Sequence, residues 1–189
     1  PATSAILMGP GLAGPDVAEA LHTRIAELWQ QSPLPIVADA SALDRLPPGD
    51  TAPGIRIITP HPGEASRMLG IPSAKVQEDR IGNARRLSTK YGDCHVILKG
   101  AQTITFSPAG QTHVNSTGNP GLAQGGSGDA LAGLLAGLLA QPCLRNDLDR
   151  LIRYAVWEHG HAADRLADQQ SAWDLEDFIP LLGNSRDNQ

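Results

Sequence analysis

The sequence predicts an α/β fold with a mostly parallel sheet. Short β-like runs alternate with helical stretches through the first half of the chain, which is the rhythm of βαβ units. Two closely spaced β-like runs with a glycine between them follow, a pattern typical of antiparallel strands at a sheet edge. The chain has 189 residues and 41% hydrophobic content, so residues 1–189 are interpreted as a single domain with one well-packed core.

Each element has its own local signal. In chain order, the first half is predicted to contain a strand at 5–8, a helix from Pro15 to about Gln30, strands at 35–39 and 55–59, a short helix from Pro62, and an amphipathic helix at 76–91. The second half is predicted to contain strands at 94–99, 102–106 and 112–115, a buried helix at 130–140, a helix that Asn146 caps and that runs to about Ala167, and a helix at 175–182 that Asp174 caps.

The most informative segment is the run NSTGNPGLAQGGSGD at 115–129, directly before the buried helix. Its glycines permit close backbone approach, and the helix directs unpaired N–H groups and a positive dipole end at the loop, which predicts a phosphate site. Asp129 would repel a bound phosphate, so we expect it to take or orient the proton of a hydroxyl that is being phosphorylated. Alternatively, Ser127 or Asp129 is only a helix cap and the glycines form a flexible loop.

Two further motifs lie where predicted strands end, the edge at which open α/β sheets bind ligands. The segment TPHPGEA at 59–65 holds His61 rigidly between two prolines. The segment KGAQT at 99–103 places a cation beside Gly100, and the glycine allows a phosphate or ribose to approach closely. Both segments are therefore candidates for ligand contact.

The segment GPGLAG at 9–14 imitates a dinucleotide-binding fingerprint. Its acid, Asp39, lies too far along the chain, and Pro10 and Pro15 remove N–H groups that should cradle a pyrophosphate, so this interpretation is disfavoured. His159 and His161 resemble a metal pair, but they face different sides of one helix and are not expected to share an ion.

The composition argues against several classes of partner. A net charge of -5 and 4% aromatic residues do not suit nucleic-acid binding. The longest apolar run, 130–140, is well short of the roughly 20 residues that span a membrane. Cys94 and Cys143 are far apart and fit a reducing, cytoplasmic compartment.

The motifs taken together resemble those of the ribokinase-like ADP- or ATP-dependent NAD(P)H-hydrate dehydratases. The similarity runs in order through GPGL, an aspartate-bearing strand, TPHPGE, KG-x-x-T, the 115–129 run and a closing HG-x-A-A-D helix. It implies a ribokinase-like three-layer α/β/α fold. It also implies a carbon–oxygen lyase that repairs hydrated NADH or NADPH: the nucleotide phosphorylates the ring hydroxyl, and phosphate then leaves.

The resemblance also implies which residues form the site. Asp129 is expected to act on the hydroxyl, with the backbone N–H groups of Gly126, Ser127 and Gly128 stabilising the transferring phosphoryl group. The nucleotide, ADP or ATP with Mg²⁺, is expected to contact Lys99, Gly100, Ala101, Gln102, Thr103, Asn119 and Gly128. The hydrated substrate is expected to contact Gly11, His61 and Asp129, with Glu64 supporting His61. No metal-ligating residue is assigned.

The chain departs from the family pattern in two respects. The family's D-A-D-A-L-N appears as Asp39-Ala-Ser-Ala-Leu-Asp44, which leaves the roles of Ser41 and Asp44 open. Related enzymes begin well upstream of GPGL, so we expect an upstream segment or a second subunit to pack on the 5–8 side of the sheet. A homo-oligomer is expected, together with an upstream epimerase domain or partner.

Two other functions share these motifs. A ribokinase-like small-molecule kinase would use the same loop and Asp129 and release a stable phosphorylated product. A non-catalytic nucleotide-binding fragment would bind without turnover. The choices between ADP and ATP, and between hydrated NADH and hydrated NADPH, stay open.

Overall fold

The fold is built on one six-stranded sheet. In a computed structural model, residues 3–12, 14 and 19–184 are described. The strands, in chain order and in spatial order, are β1 (Ile6–Met8), β2 (Ile36–Ala38), β3 (Arg56–Ile58), β4 (His95–Leu98), β5 (Ile104–Phe106) and β6 (Thr112–Val114). The pairs β1–β2, β2–β3 and β3–β4 are parallel, and β4–β5 and β5–β6 are antiparallel. The predicted mostly parallel sheet with antiparallel edge strands is therefore confirmed.

Helices cover both faces of the sheet. They are α1 (Glu19–Gln31), α2 (Pro62–Leu69), α3 (Ser73–Glu78), α4 (Arg80–Lys90), α5 (Ser127–Leu139), α6 (Leu148–Gln169) and α7 (Leu175–Phe178). Short 3₁₀ turns lie at Ala40–Arg45, Pro120–Leu122, Pro142–Asp147 and Ile179–Leu181. The predicted start of the first helix, from Pro15, lies outside the described residues.

The alternation of side chains along the strands separates two hydrophobic cores. In β2, Ile36 and Ala38 face a core shared with helices α1 to α4, whereas Val37 faces a core shared with α5 and α6. The same alternation sends Ile58 to the first core and Ile57 to the second. Successive side chains of a strand point to opposite faces, so a sheet whose strands place apolar residues on both faces needs helices on both sides. The three-layer α/β/α arrangement follows from this pattern.

Two predicted helices have different bounds in the structure. The helix predicted at 76–91 is split, because Asp79 leaves the helical conformation and its side chain caps α4 by accepting from Gly82 N at 2.8 Å. The helix predicted to start at Asn146 is capped instead by Asp147, which accepts from Arg150 N at 3.0 Å. The predicted cap at Asp174 is confirmed.

The described helices are short or partly polar. No single one is both long and apolar enough to cross a membrane. The segments Ser127–Leu139 and Pro142–Gln169 reach that length and apolarity only as a pair, and they are bent by 100° where they meet.

The end of β1 packs directly on the end of β2. Gly9 has a φ of +129°, and a Cβ atom there would overlap the carbonyl oxygen of Asp39. Gly11 also has positive φ, at +76°, but a Cβ atom there would meet nothing within 4 Å. The two glycines therefore differ in steric demand although both adopt a conformation that favours glycine.

We expect Gly9→Ala to lower the free energy of unfolding by about 3 kcal/mol, because the new methyl group collides with backbone that cannot move aside. Gly11→Ala is the matched control and should cost only about 1 kcal/mol, from its positive φ alone. Urea unfolding monitored by circular dichroism measures both. Equal losses in the two variants would contradict the close packing of the strand ends.

Candidate active site

A cavity of about 630 Å³ opens at the carboxyl ends of the parallel strands. It is lined by residues from four separate parts of the chain: His61, Lys99, Gly100, Ala101, Gln102, Thr103, Asn115, Thr117, Gly118, Asn119, Pro120, Leu122, Ala123, Ser127, Gly128, Leu131, Val156, His159 and Gly160. Strand ends that were predicted separately therefore meet in one site, as expected at this edge of a parallel sheet.

The N-terminus of α5 forms one wall of this cavity. Gly126 adopts a left-handed conformation before the helix, with φ +90°, and the first intrahelical bond is donated by Ala130 to Gly126 O at 3.0 Å. The N–H groups of Gly128 and Asp129 consequently have no acceptor within the described chain. Because Gly128 lines the cavity, unpaired donors and a positive helix end lie beside it. This geometry suits an anion.

His61 is the N-terminal cap of α2 as well as a cavity residue. Its Nδ1 accepts from Gly63 N at 3.0 Å and Glu64 N at 3.4 Å, and Glu64 Oε2 accepts from His61 N at 2.7 Å. Since Nδ1 accepts, the ring proton of the neutral form lies on Nε2, 3.5 Å from Glu64 Oε1. The capping box thus fixes both the ring and its tautomer, with Glu64 in the supporting position that the sequence suggested.

A buried ion pair lies at the floor of the site. Asp39, 1% exposed at the end of β2, accepts from Lys99 Nζ at 2.7 Å and from Thr59 Oγ1 at 2.7 Å, both at Oδ1. Its Oδ2 is buried and has no partner among the described residues. A Cβ atom on Gly128 would lie 3.8 Å from this Oδ2, so the free oxygen faces the start of α5.

The loop at 115–119 is held against α6. Asp164 accepts from Gly118 N at 2.8 Å and from Asn119 Nδ2 at 3.1 Å, and Asn119 Oδ1 accepts from Gly121 N at 2.9 Å. Both ends of the Asn119 amide are therefore engaged by the protein, although the residue lines the cavity. Asp164 was noticed in the sequence only as part of the closing helix motif.

His159 is the other cavity residue with a distinctive environment. Its Nε2 donates to Ser127 O at 2.9 Å, since a carbonyl can only accept, and its ring makes an edge contact with Phe178. Burial lowers the pKa of His159, and the nearby charge of Lys99 lowers it further, against the opposing effect of the Ser127 carbonyl. The ring is therefore neutral at pH 7 and anchors α6 to the first turn of α5.

Three predicted site residues do not line the cavity. Gly126 packs beneath α7, where a Cβ atom would lie 2.5 Å from Leu175 Cδ1. Gly11 is exposed in the turn after β1, and Asp129 is exposed in the first turn of α5. The Asp129 carboxylate makes no hydrogen bond or ion pair with the described residues, and the residue is open to solvent. The roles of all three stay predictions.

The two residues that depart from the family pattern have structural contacts. Ser41 Oγ donates to Gly9 O at 2.7 Å, which ties the turn after β2 to the GPGL segment. On the surface, Asp44 accepts from Arg67 Nε at 3.0 Å and from Arg67 Nη2 at 3.1 Å. Neither side chain is among the residues that line the cavity.

One acidic residue of the site suits a divalent cation. Within the described ranges no group of three or more histidine, cysteine or acidic side chains could hold a metal. Mg²⁺, however, commonly uses one or two carboxylates together with substrate phosphates. Asp39 supplies a buried oxygen, Oδ2, that has no partner among the described residues, whereas both oxygens of Glu64 lie against His61. Of these two carboxylates, only Asp39 has an oxygen left for a Mg²⁺ ion that a nucleotide brings with it.

The fold and the cavity define a ribokinase-like α/β protein. A ribokinase-like superfamily protein from Enterococcus faecalis superposes with a TM-score of 0.77 and 28% identity, over 96% of this chain and 62% of that chain. The sequence matches the NAD(P)H-hydrate dehydratase family over residues 1–180. The chain belongs to this family.

Two relatives show how much of the family's length the chain represents. The bifunctional NAD(P)H-hydrate repair enzyme Nnr of Moorella thermoacetica is 39% identical over 94% of this chain and 34% of its own length. The crystal structure of the ADP/ATP-dependent NAD(P)H-hydrate dehydratase from Bacillus subtilis, co-crystallised with ATP and Mg²⁺ and soaked with CoA, gives a TM-score of 0.82 with 32% identity. That match covers 95% of this chain and 64% of that chain.

Two histidines whose pKa is lowered predict how stability depends on pH. Burial lowers the pKa of His95, against the opposing charge of Asp149, as it does that of His159. The unfolded chain therefore binds more protons than the folded protein as pH falls below about 6.5. We expect the free energy of unfolding to rise between pH 5.5 and 7 and then to level off.

Urea unfolding across this pH range tests the expectation. The double variant His95→Gln/His159→Gln should show a flatter dependence than the wild type. His161→Gln removes a histidine that stacks on Trp157 and serves as the control. If the free energy of unfolding of the double variant depends on pH as steeply as that of the wild type, titratable groups other than His95 and His159 cause the dependence.

Proposed function

We propose that the protein dehydrates hydrated NADH or NADPH at the expense of ADP or ATP. The observation that carries this proposal is the convergence of TPHPGE, KG-x-x-T, the 115–129 run and the closing helix on one cavity. These motifs are far apart in the sequence, and a shared site gives each a chemical reason to be there. Membership of the NAD(P)H-hydrate dehydratase family supports the same reaction.

The cavity offers separate places for the two ligands. The loop at 99–103 and the N-terminus of α5 would bind the nucleotide, because they combine Lys99 with unpaired N–H groups of the helix. His61, held by its capping box, would contact the hydrated nicotinamide ring. Asp129, whose N–H is one of these helix donors, would place its carboxylate where the transferred phosphoryl group and the hydroxyl meet.

The reaction is a phosphoryl transfer followed by an elimination. The ring hydroxyl oxygen attacks the terminal phosphorus, its proton goes to Asp129, and the shortened nucleotide leaves. The ring then loses phosphate by cleavage of the carbon–oxygen bond and loses a proton from the neighbouring carbon, which restores the dihydropyridine double bond. The N–H groups at the start of α5 stabilise charge on the transferring group.

Mg²⁺, when bound with the nucleotide, would neutralise charge on its phosphates, and Asp39 is the residue that would hold it. A homo-oligomer and an upstream epimerase domain or partner belong to the same proposal. The name of the Moorella thermoacetica relative, a bifunctional repair enzyme, favours the epimerase domain or partner.

We also propose a cytoplasmic location, because Cys94 and Cys143 are unpaired.

The direct test is recovery of the 340 nm absorbance of reduced nicotinamide from its hydrate, with ADP and with ATP. Recovery that requires nucleotide supports the proposal. Accumulation of a stable phosphorylated product would favour a small-molecule kinase, and nucleotide binding without either outcome would favour a non-catalytic module.

We expect Asp129→Asn to reduce kcat by about 10²- to 10⁴-fold while nucleotide affinity changes little, because the N–H donors of α5 are retained. Steady-state kinetics and calorimetric titration with nucleotide measure the two effects. Asp168→Asn, at an exposed position on α6, is the matched control. A kcat close to that of the wild type would remove Asp129 from the mechanism.

A second pair of variants separates the ligand contacts. Lys99→Ala should weaken nucleotide binding, and His61→Asn should raise the KM for the hydrate more than that for nucleotide. Asparagine can still cap α2, so this variant removes the imidazole with little damage to the helix.

Lys99→Ala also leaves the buried Asp39 carboxylate unpaired, at an expected cost of about 3–5 kcal/mol in stability. The double variant Lys99→Ala/Asp39→Asn should recover part of that stability without recovering nucleotide affinity. If Lys99 and His61 variants affect both ligands equally, the assignment of separate subsites is wrong.

A further inference from the structure

The loop between β4 and β5 has an unusual backbone. Gly100 has φ +129°, and Gln102, although not a glycine, has φ +56°. A non-glycine residue in the left-handed region costs free energy and persists where surrounding contacts enforce it. Most hydrogen bonds to the carbonyl groups of this loop come from one side chain, Arg80, while Thr103 Oγ1 donates to Gly100 O at 3.0 Å.

Arg80 is the first residue of α4, and its guanidinium group donates hydrogen bonds to four backbone carbonyl groups in and beside this loop. Its Nη1 donates to Ala101 O at 2.6 Å and to Gln102 O at 3.2 Å, and its Nη2 donates to Leu98 O at 3.1 Å and to Lys99 O at 3.4 Å. Four carbonyls of the stretch 98–102 therefore turn toward a single cation. Arg80 itself is not among the residues that line the cavity.

This arrangement has an electrostatic consequence for the site. Carbonyl oxygens carry partial negative charge and would repel a phosphate if they faced it. A guanidinium binds several acceptors at once in a fixed planar fork, so it can hold these oxygens together in one orientation. The same cation adds positive charge behind the loop.

We propose that Arg80 is a positioning residue for the nucleotide: it fixes the loop at 99–103 in the conformation that accepts the nucleotide and keeps the loop carbonyls away from the phosphates. This inference rests on the proposed function for its ligand. Arg80 acts through Lys99 and its neighbours and touches neither reactant.

A second arginine in the same protein provides a matched comparison. Arg56, at the start of β3, also donates to four carbonyls, those of Trp29, Ser32, Leu34 and Ile55. It lies at the amino end of β3, whereas the cavity opens at the carboxyl ends of the parallel strands, and it is 2% exposed. Its contacts join elements of the fold, so its loss should lower stability without a specific effect on nucleotide binding.

The experiment compares Arg80→Lys and Arg80→Ala with Arg56→Lys and with Arg86→Lys, an exposed position on the same helix as Arg80. Lysine keeps the charge but cannot span four carbonyls in a plane. We expect both Arg80 variants to raise the KM for ADP or ATP by about 10- to 100-fold. The KM for the hydrate and the kcat at saturating nucleotide should stay within about 3-fold of the wild type.

Two further measurements distinguish positioning from general damage. Hydrogen exchange of the unliganded Arg80 variants should show faster exchange in the 99–103 loop and unchanged exchange in β2 and β3. Added methylguanidine should restore nucleotide affinity to Arg80→Ala and have no such effect on Arg86→Lys. Arg56→Lys should lower the unfolding midpoint while its KM for nucleotide stays at the wild-type value.

The outcomes separate this inference from the proposed function. If the wild type binds nucleotide but restores no reduced nicotinamide, the proposed reaction fails, and calorimetric nucleotide affinity still tests Arg80. If the wild type is active and the Arg80 variants keep its nucleotide KM and loop exchange, the inference about Arg80 is overturned. A wild type that binds no nucleotide overturns both.

Discussion

The buried ion pair between Asp39 and Lys99 joins the ends of β2 and β4 across the end of β3, and the site is arranged around it. Thr59 at the end of β3 donates to the same carboxylate oxygen, so three neighbouring strands share one acceptor. A buried charge without a partner is costly, which keeps these strand ends together. The start of α5, His61 and the loop at 99–103 all take their positions from this anchored edge.

Much of this edge could be predicted from the sequence, because the signals were local. A histidine between two prolines after a β-like run, and a glycine-rich run before an apolar helix, each specify a strand end or a helix start without tertiary information. The cap at Asp174 was predictable for the same reason. Asp147 was missed because the adjacent Asn146 is an equally good cap, and Asp79 was missed because the helical pattern at 76–91 continues through it.

The contacts that organise the site could not be predicted, because they join distant positions. In the sequence, nothing distinguishes Arg80 from the other charged residues of an amphipathic helix. Its four carbonyl partners lie about twenty positions further along the chain. Asp39 was visible as the acid of a false dinucleotide fingerprint and as the first residue of a family pattern, and neither indicated its partner. Its pairing with Lys99 depends on the order of the strands, which no local pattern contains.

The packing of α6 on the glycine-rich loop has a consequence for how this protein can change over evolutionary time. Gly160 lies so close to Thr117 that a methyl group there would overlap both its hydroxyl and its backbone. Thr117 in turn donates to Trp157 O at 2.9 Å, one turn earlier on α6. A larger residue at position 160 is therefore compatible only with a compensating shift in the loop, so the two segments should drift in sequence together and not independently.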